Sequence, residues 1–230
     1  CFFELRTNPE SFAHSVIFFE IEYVCVMKQW VLFISILIAF STFGCSSKEN
    51  QEIVKEKEYP IAQVQTDFGV MYFWLFDETP NHKAKFIELA EAKVYDEYTF
   101  NRVVRNFVIQ GGCPDSVKYF ENSPYLLDPE FVDSIGHSYG ALGMGRDDNP
   151  QKQSNACQFY IVNKEQGLPQ LDGNYMIFGK IIKGTDVLEA IEKVPTDNTD
   201  TPIEAIPLQV SISYYTKQEL STNFNYIISE

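Results

Sequence analysis

The stretch NRVVRNFVIQGG, residues 101–112, places a cation and an amide among apolar side chains. With the period of two that a strand has, Phe100, Arg102 and Val104 fall on one face. A guanidinium on a core face needs a partner, because burying an unpaired charge is very costly. On an outer face the same arginine would lie in an apolar patch that could bind a ligand. The pattern alone leaves both interpretations open.

The composition excludes a wholly disordered chain and argues against a nucleic-acid partner. The 230 residues are 45% hydrophobic and 15% aromatic, which suffices for one domain of about 150–200 residues with extensions. The formal net charge is −14, and the sequence has no cluster of Lys and Arg of the kind that binds phosphates. We therefore expect an acidic, monomeric protein that does not bind nucleic acid.

A metal site and a cofactor site are also not indicated. His82 and His137 are too scattered for a metal cluster, and no cysteine spacing is typical of zinc. The glycines in GALGMGR do not have the spacing of a dinucleotide or phosphate loop. We expect neither a metal nor a cofactor.

The amino-terminal region has the pattern of a signal peptide. Met27 is followed by the basic Lys28 and by an apolar run over 31–40. This run is shorter than the ~20 residues that a membrane-spanning helix needs. We interpret 27–44 as a signal peptide and 1–26 as an upstream over-extension of the reading frame.

The residues that follow predict a lipid anchor. TFGC, which ends at Cys45, resembles the lipobox of bacterial lipoproteins. That resemblance implies signal cleavage before Cys45 and attachment of lipid to this cysteine. The polar stretch to Pro60 predicts a flexible tether, so 45–60 would join the lipid to the folded domain. The expected location is the bacterial cell envelope, on the periplasmic or outer-membrane face.

Most of the remaining elements that must position Arg102 are strands. PLQVSISYY alternates cleanly between apolar and other residues. The helix in ETPNHKAKFIELAEA should begin with Thr79 as its cap and Pro80 at its first position. TDVLEAIEKV predicts a second helix, because Val187, Ile191 and Val194 share a face. Many strands with two helices predict a closed barrel capped by helices.

Three segments together resemble the cyclophilin family of peptidyl-prolyl isomerases: FNRVVRNFVIQGGCPD, GALGMGRDDNP through CQFYIV, and LDGNYMIFGKII. The resemblance runs from about Ala62 to Tyr214. It implies a mainly β fold, a closed eight-stranded antiparallel β-barrel capped by two α-helices. We assign the isomerase domain to 61–216 and a C-terminal tail to 217–230.

The resemblance also implies the site residues. Arg102 matches the catalytic arginine of the family, and Phe107 and Gln110 complete the catalytic set. This places Arg102 on an outer, substrate-facing groove. The residues implied to bind substrate are Val108, Gly145, Asn155, Gln158, Phe159, Leu171 and Tyr175.

The sequence departs from the family pattern at several positions. Asn101 stands where the family usually has His, Gly145 where it has Ala, and Gln170 where many members have Trp.

The resemblance implies that Cys113 and Cys157 flank strands that meet at the groove. Whether they form a disulfide stays open, although an oxidising envelope would permit it.

The implied activity is cis-trans isomerisation of Xaa–Pro bonds in exported proteins, which assists their folding. Its partners would be proline-containing polypeptides, and the membrane through the lipid on Cys45. The alternative is a non-catalytic module that uses the same groove to bind proline peptides or to act as a chaperone. Isomerisation of a cis-proline peptide, compared with its binding, distinguishes the two.

Overall fold

The computed structural model describes residues 56–114 and 123–228. In these two ranges the regular elements are eleven strands, three α-helices and two short 3-10 helices, Tyr95–Glu97 and Pro169–Leu171. The strands are β1 (Glu58–Thr66), β2 (Gly69–Leu75), β3 (Thr99–Val104), β4 (Val108–Gly112), β5 (Leu126–Leu127), β6 (Ala141–Met144), β7 (Ser154–Asn155), β8 (Gln158–Val162), β9 (Met176–Lys183), β10 (Ile206–Pro207) and β11 (Gln209–Thr216). The helices are α1 (Pro80–Glu91), α2 (Thr185–Glu192) and α3 (Lys217–Phe224).

The principal sheet has nine strands in the order β10-β3-β4-β8-β6-β9-β2-β1-β11, and β5 pairs separately with β7. All of these pairings are antiparallel. The predicted closed barrel of eight strands is therefore wrong for the part of the chain that the structure describes. The two edge strands are β10 and β11, and only Leu208 lies between them in the chain. The backbone therefore links the two edges of the sheet, although the strand order does not pair them. Strand β10 escaped prediction because two residues, one of them Pro207, are too few to show alternation.

Aromatic side chains dominate the core between the sheet and α1. Phe86 of α1 is fully buried, as are Phe73, Phe159 and Phe178 of the sheet. The ring centroids of Phe86 and Phe178 are 5.1 Å apart, within the range that favours tilted and edge-on pairs. This packing fixes α1 and β8 relative to each other, and β8 carries part of the site described below.

The two predicted helices are present, but the predicted cap of α1 is not made. Pro80 occupies the first turn as expected, whereas the Thr79 side chain makes no capping bond. Its hydroxyl instead donates to the carbonyl of Phe76 at 3.4 Å. In α2, Val187 and Ile191 are both buried on the face that the spacing predicted, whereas Val194 lies beyond the end of the helix.

The third helix, α3, lies in the predicted C-terminal tail. Thr216 accepts a hydrogen bond from the Glu219 backbone N–H at 3.2 Å, and the Glu219 carboxylate accepts from the Thr216 N–H at 2.8 Å. This reciprocal pair is a capping box, whose T-x-x-E signal is visible in the sequence. Leu220 is fully buried against Ile61 and Trp74, so α3 packs onto the sheet.

The amino-terminal boundary of the folded domain also differs from the prediction. Strand β1 begins at Glu58, and its first residues pair with β11, so the end of the predicted tether is strand. The signal peptide over 27–44 and Cys45 lie outside the described residues. No helix within the described ranges is long and apolar enough to cross a membrane.

Candidate active site

A pocket of about 200 Å³ gathers side chains from β3, β4 and β8 and from the loops beside them. Its lining residues are Arg102, Phe107, Val108, Gln110, Gly145, Arg146, Gln158, Tyr160, Leu171 and Tyr175. Eight of the ten residues that the sequence singled out therefore meet at one place. The other two, Asn155 and Phe159, do not line it.

A β-bulge at Asn101 explains how Arg102 reaches the pocket. The register between β3 and β4 shifts between Phe100 and Arg102, so one extra residue lies on β3. Phe100 pairs with Gly111 and is buried in the core, whereas Arg102 pairs with Gln110 on the pocket side. The regular alternation that placed Phe100 and Arg102 on one face is therefore wrong.

The surroundings of Arg102 show that its side chain lies on an outer face rather than in the core. Its side chain is 38% exposed, and its Nη2 lies 3.6 Å from Oδ2 of Asp200. Asp200 has a positive φ of 65°, and its carbonyl accepts a hydrogen bond from Val103 N at 2.8 Å. Arg102 is thus a groove residue with a loose ion pair, since 3.6 Å exceeds hydrogen-bond distance.

Apolar side chains form another part of the pocket lining. Val108 and Tyr160 are buried, and Phe107, Leu171 and Tyr175 pack against them in one cluster. This cluster is separate from the main core. The pocket therefore combines an apolar wall, which suits a pyrrolidine ring, with the cation of Arg102.

Phe159 was predicted to bind substrate, and the structure places it in the core instead. Its ring is fully buried. It makes edge-on contacts with the rings of Phe86, Tyr95 and Phe100. Successive strand residues point to opposite faces, so Gln158 and Tyr160 line the pocket while Phe159 faces away. The aromatic residue of β8 that lines the pocket is Tyr160, one position after the predicted Phe159.

Tyr160 is held by a hydrogen-bonded chain that the sequence analysis did not find. Its hydroxyl lies 2.7 Å from Nε2 of His137, whose Nδ1 lies 2.6 Å from the Asp172 carboxylate. Burial lowers the pKa of His137, although Asp172 opposes this shift, and burial raises the pKa of Tyr160 well above its usual value. A neutral imidazole that donates to Asp172 and accepts from Tyr160 satisfies all three groups.

Asn155 supports the pocket from behind. It is fully buried, its N–H donates to the carbonyl of Gly145 at 2.7 Å, and its Oδ1 accepts from Cys157 N at 3.1 Å. Gln158 donates from Nε2 to the carbonyl of Cys113 at 3.0 Å. These bonds fix the positions of Gly145 and Gln158, which do line the pocket.

Cys113 and Cys157 form a disulfide, so the expectation that they lie near each other is confirmed. Their Cα atoms are 5.5 Å apart, and 44 positions separate them along the chain. The bond joins the end of β4 to the residue before Gln158. It therefore ties together two strands, β4 and β8, that carry four of the ten predicted site residues.

Two residues that line the pocket, Tyr160 and Arg146, were not predicted from the sequence. The guanidinium carbon of Arg146 lies 5.0 Å from the centre of the Tyr175 ring, a distance typical of cation–π contacts. The signal was its position directly after Gly145, inside a segment that carried the resemblance. Nothing in the alternation of the sequence indicated that its side chain turns into the pocket.

Both histidines of the folded part have structural partners. His82 is fully buried, and its Nδ1 lies 2.5 Å from Oε2 of Glu130. Within the described ranges there is no group of three or more His, Cys, Asp or Glu residues that could hold a metal. The described residues that line the pocket include no Ser, Thr, Cys or Lys, so its geometry suits binding and polarisation rather than covalent catalysis.

Comparisons with known proteins agree with this geometry. The family model described as "Cyclophilin type peptidyl-prolyl cis-trans isomerase/CLD" matches residues 61–211. Peptidyl-prolyl cis-trans isomerase CYP18-2 of Arabidopsis thaliana is 33% identical over 153 residues, which cover 65% of this chain and 90% of that protein. Peptidyl-prolyl cis-trans isomerase-like 2 of Rhizopus delemar is 33% identical over 160 residues, which cover 68% of this chain and 29% of that protein.

A solved structure shows the same fold. It is the crystal structure of a Cryptosporidium parvum cyclophilin type peptidyl-prolyl cis-trans isomerase in the presence of the dipeptide Ala-Pro. The TM-score is 0.59 and the identity 30%, with 66% of this chain and 98% of that chain covered. The chain therefore belongs to the cyclophilin family of peptidyl-prolyl cis-trans isomerases.

Proposed function

We propose that this protein catalyses cis-trans isomerisation of Xaa–Pro peptide bonds, with the proline bound in the pocket described above. The observation that carries the proposal is the pairing of Arg102 with Gln110 across β3 and β4, at the edge of the apolar cluster that contains Phe107. A related structure was solved in the presence of Ala-Pro, which supports a proline-containing peptide as the ligand.

The chemistry needs no nucleophile, because the barrier of ~18–20 kcal/mol arises from amide resonance. As the bond twists, the prolyl nitrogen regains a lone pair that can accept a hydrogen bond. The Arg102 guanidinium would donate to that lone pair only in the twisted state, which lowers the barrier without tightening either ground state. Gln110, on the neighbouring strand, would hold the peptide backbone beside it.

The magnitudes show that Arg102 cannot act alone. Shortening a ~100 s isomerisation to ~1 ms requires about 7 kcal/mol of transition-state stabilisation. A hydrogen bond to a charged donor contributes about 1.5–3 kcal/mol. The remainder must come from fixing the ring against the apolar wall and from polar groups that hold the twisted carbonyl.

The test is to measure isomerisation of a cis-proline peptide by the purified protein and, in parallel, binding of the same peptide. Exchange between cis and trans signals in NMR reports the first, and chemical-shift titration reports the second. Catalysed exchange together with binding is the expected result. Binding without faster exchange would instead indicate a non-catalytic peptide-binding or chaperone module.

We further propose that the protein is a bacterial lipoprotein anchored through Cys45, which would place the isomerase in the cell envelope among exported proteins. The support is the signal-peptide pattern and the lipobox-like TFGC sequence. Labelled fatty acid should enter the wild-type protein but not Cys45→Ala. Equal labelling of both, or a mature terminus other than Cys45, would overturn this proposal.

A further inference from the structure

Arg146 carries a charge that the pocket does not neutralise. Its side chain is only 9% exposed, and it is one of the residues that line the pocket. Neither its Nε nor its Nη1 has a hydrogen-bond acceptor among the described residues. Burial of a guanidinium without acceptors is costly, so a ligand that supplies an acceptor here gains the stabilisation that the protein itself lacks.

The contacts that Arg146 does make hold it in position but compensate its charge only in part. The Tyr175 ring lies against its guanidinium. Its Nη2 is 3.8 Å from Oδ1 of Asp148, and the Asp148 side chain is fully exposed. A pair with a fully exposed carboxylate beyond hydrogen-bond distance is weak and easily replaced.

The second cation of the pocket is placed differently. Arg102 is 38% exposed, and its nearest carboxylate, that of Asp200, is also partly exposed at 3.6 Å. Solvent therefore screens Arg102 more than it screens Arg146. Since the whole chain has a net charge of −14, an acidic peptide would be repelled by most of the protein surface, and attraction must arise locally.

We propose that Arg146 makes this site selective for proline peptides with Asp or Glu next to the proline. A carboxylate is the acceptor that matches a guanidinium best, because it takes two parallel N–H···O bonds. In a pocket of about 200 Å³, a group that reaches Arg146 while the proline is bound must belong to a residue close to that proline. The carboxylate would displace Asp148 from Nη2. This inference rests on the proposed function, since it assumes that the pocket receives proline.

The test compares matched peptides that carry Glu, Gln or Lys either directly before or directly after the proline. We expect kcat/KM and affinity for the Glu peptide to exceed those for the Gln peptide by about tenfold at one of the two positions, the usual gain of a charged acceptor over a neutral one. The Lys peptide should be the poorest of the three. Equal values for Glu and Gln at both positions would overturn the proposal.

Three variants assign any preference to Arg146. Arg146→Gln should reduce the ratio of Glu to Gln peptides to near one. Lys193→Gln removes one positive charge from an exposed side chain outside the pocket, and it should leave the ratio as in wild type. Asp148→Asn removes the competing carboxylate from an exposed side chain and should raise the ratio.

The outcomes separate this inference from the proposed function. If no peptide is isomerised but Glu peptides bind more tightly than Gln peptides, the catalytic proposal fails and the role of Arg146 stands. If Arg146→Gln weakens all peptides equally, Arg146 binds the peptide backbone and the selectivity proposal fails. If Arg146→Gln does not fold, the wild-type peptide comparison and Asp148→Asn still decide.

Discussion

The disulfide between Cys113 and Cys157 should supply a large part of the stability of the folded domain. The bond closes a loop of 44 residues, and the chain-entropy relation gives about 4 kcal/mol of stabilisation for a loop of this length. That is a substantial fraction of the 5–15 kcal/mol typical of folded proteins. With an ordinary urea dependence of about 2 kcal/mol per molar, its loss should lower the unfolding midpoint by about 2 M.

The assay is urea unfolding of wild type and of the double variant Cys113→Ala/Cys157→Ala, each with and without reductant. Reduced wild type should unfold near the midpoint of the double variant, which itself should not respond to reductant. Alanine is the suitable replacement because both cysteines are fully buried. The reasoning is refuted if oxidised wild type and the double variant unfold at the same urea concentration.

Three further predictions concern the core and the pocket. Phe159→Ala should lower the free energy of unfolding by about 3–5 kcal/mol in urea titrations, and a loss below 1 kcal/mol would contradict its core position. Gly145→Ala should reduce kcat/KM for proline peptides, because a Cβ would collide with the Gln158 amide. The expected reduction is about fivefold, the equivalent of one neutral hydrogen bond. An unchanged kcat/KM would contradict this prediction. Burial holds the pKa of His137 below 6.5, so the unfolded chain binds more protons and stability should fall as pH drops below about 6.5. His137→Gln should flatten that decline in unfolding free energy, and an identical pH dependence would show that His137 does not contribute.

The sequence predicted those parts of the fold that local patterns encode. The alternation in PLQVSISYY predicted β11, and the helical spacing of Val187 and Ile191 predicted α2 with its buried face. Eight site residues could be identified because they lie inside three segments with a specific resemblance. The alternation and the helical spacing need only the period of one element, so tertiary packing does not alter them.

The features that escaped prediction depend on single-residue register or on distant partners. One extra residue at Asn101 reverses which side chains of β3 face the pocket, and no periodic pattern shows where a bulge will fall. An error of one position likewise exchanged Phe159 for Tyr160 on β8. The orientation of Arg146 depends on Tyr175, which lies 29 positions away in the chain and becomes a neighbour only in the folded protein. The capping box at Thr216 is different, since its sequence signal was present.

The measurement that tests the central claim most directly is the isomerisation rate of Arg102→Ala, taken together with its peptide affinity and its melting temperature. Arg102 is a half-exposed groove residue with one loose ion pair, so its loss should leave the melting temperature nearly unchanged. Loss of a charged donor that acts only on the twisted amide should reduce kcat by about 10- to 150-fold while peptide affinity changes little. A variant that isomerises proline peptides as fast as wild type would contradict the proposed mechanism, and one that no longer folds would show that Arg102 has a structural role.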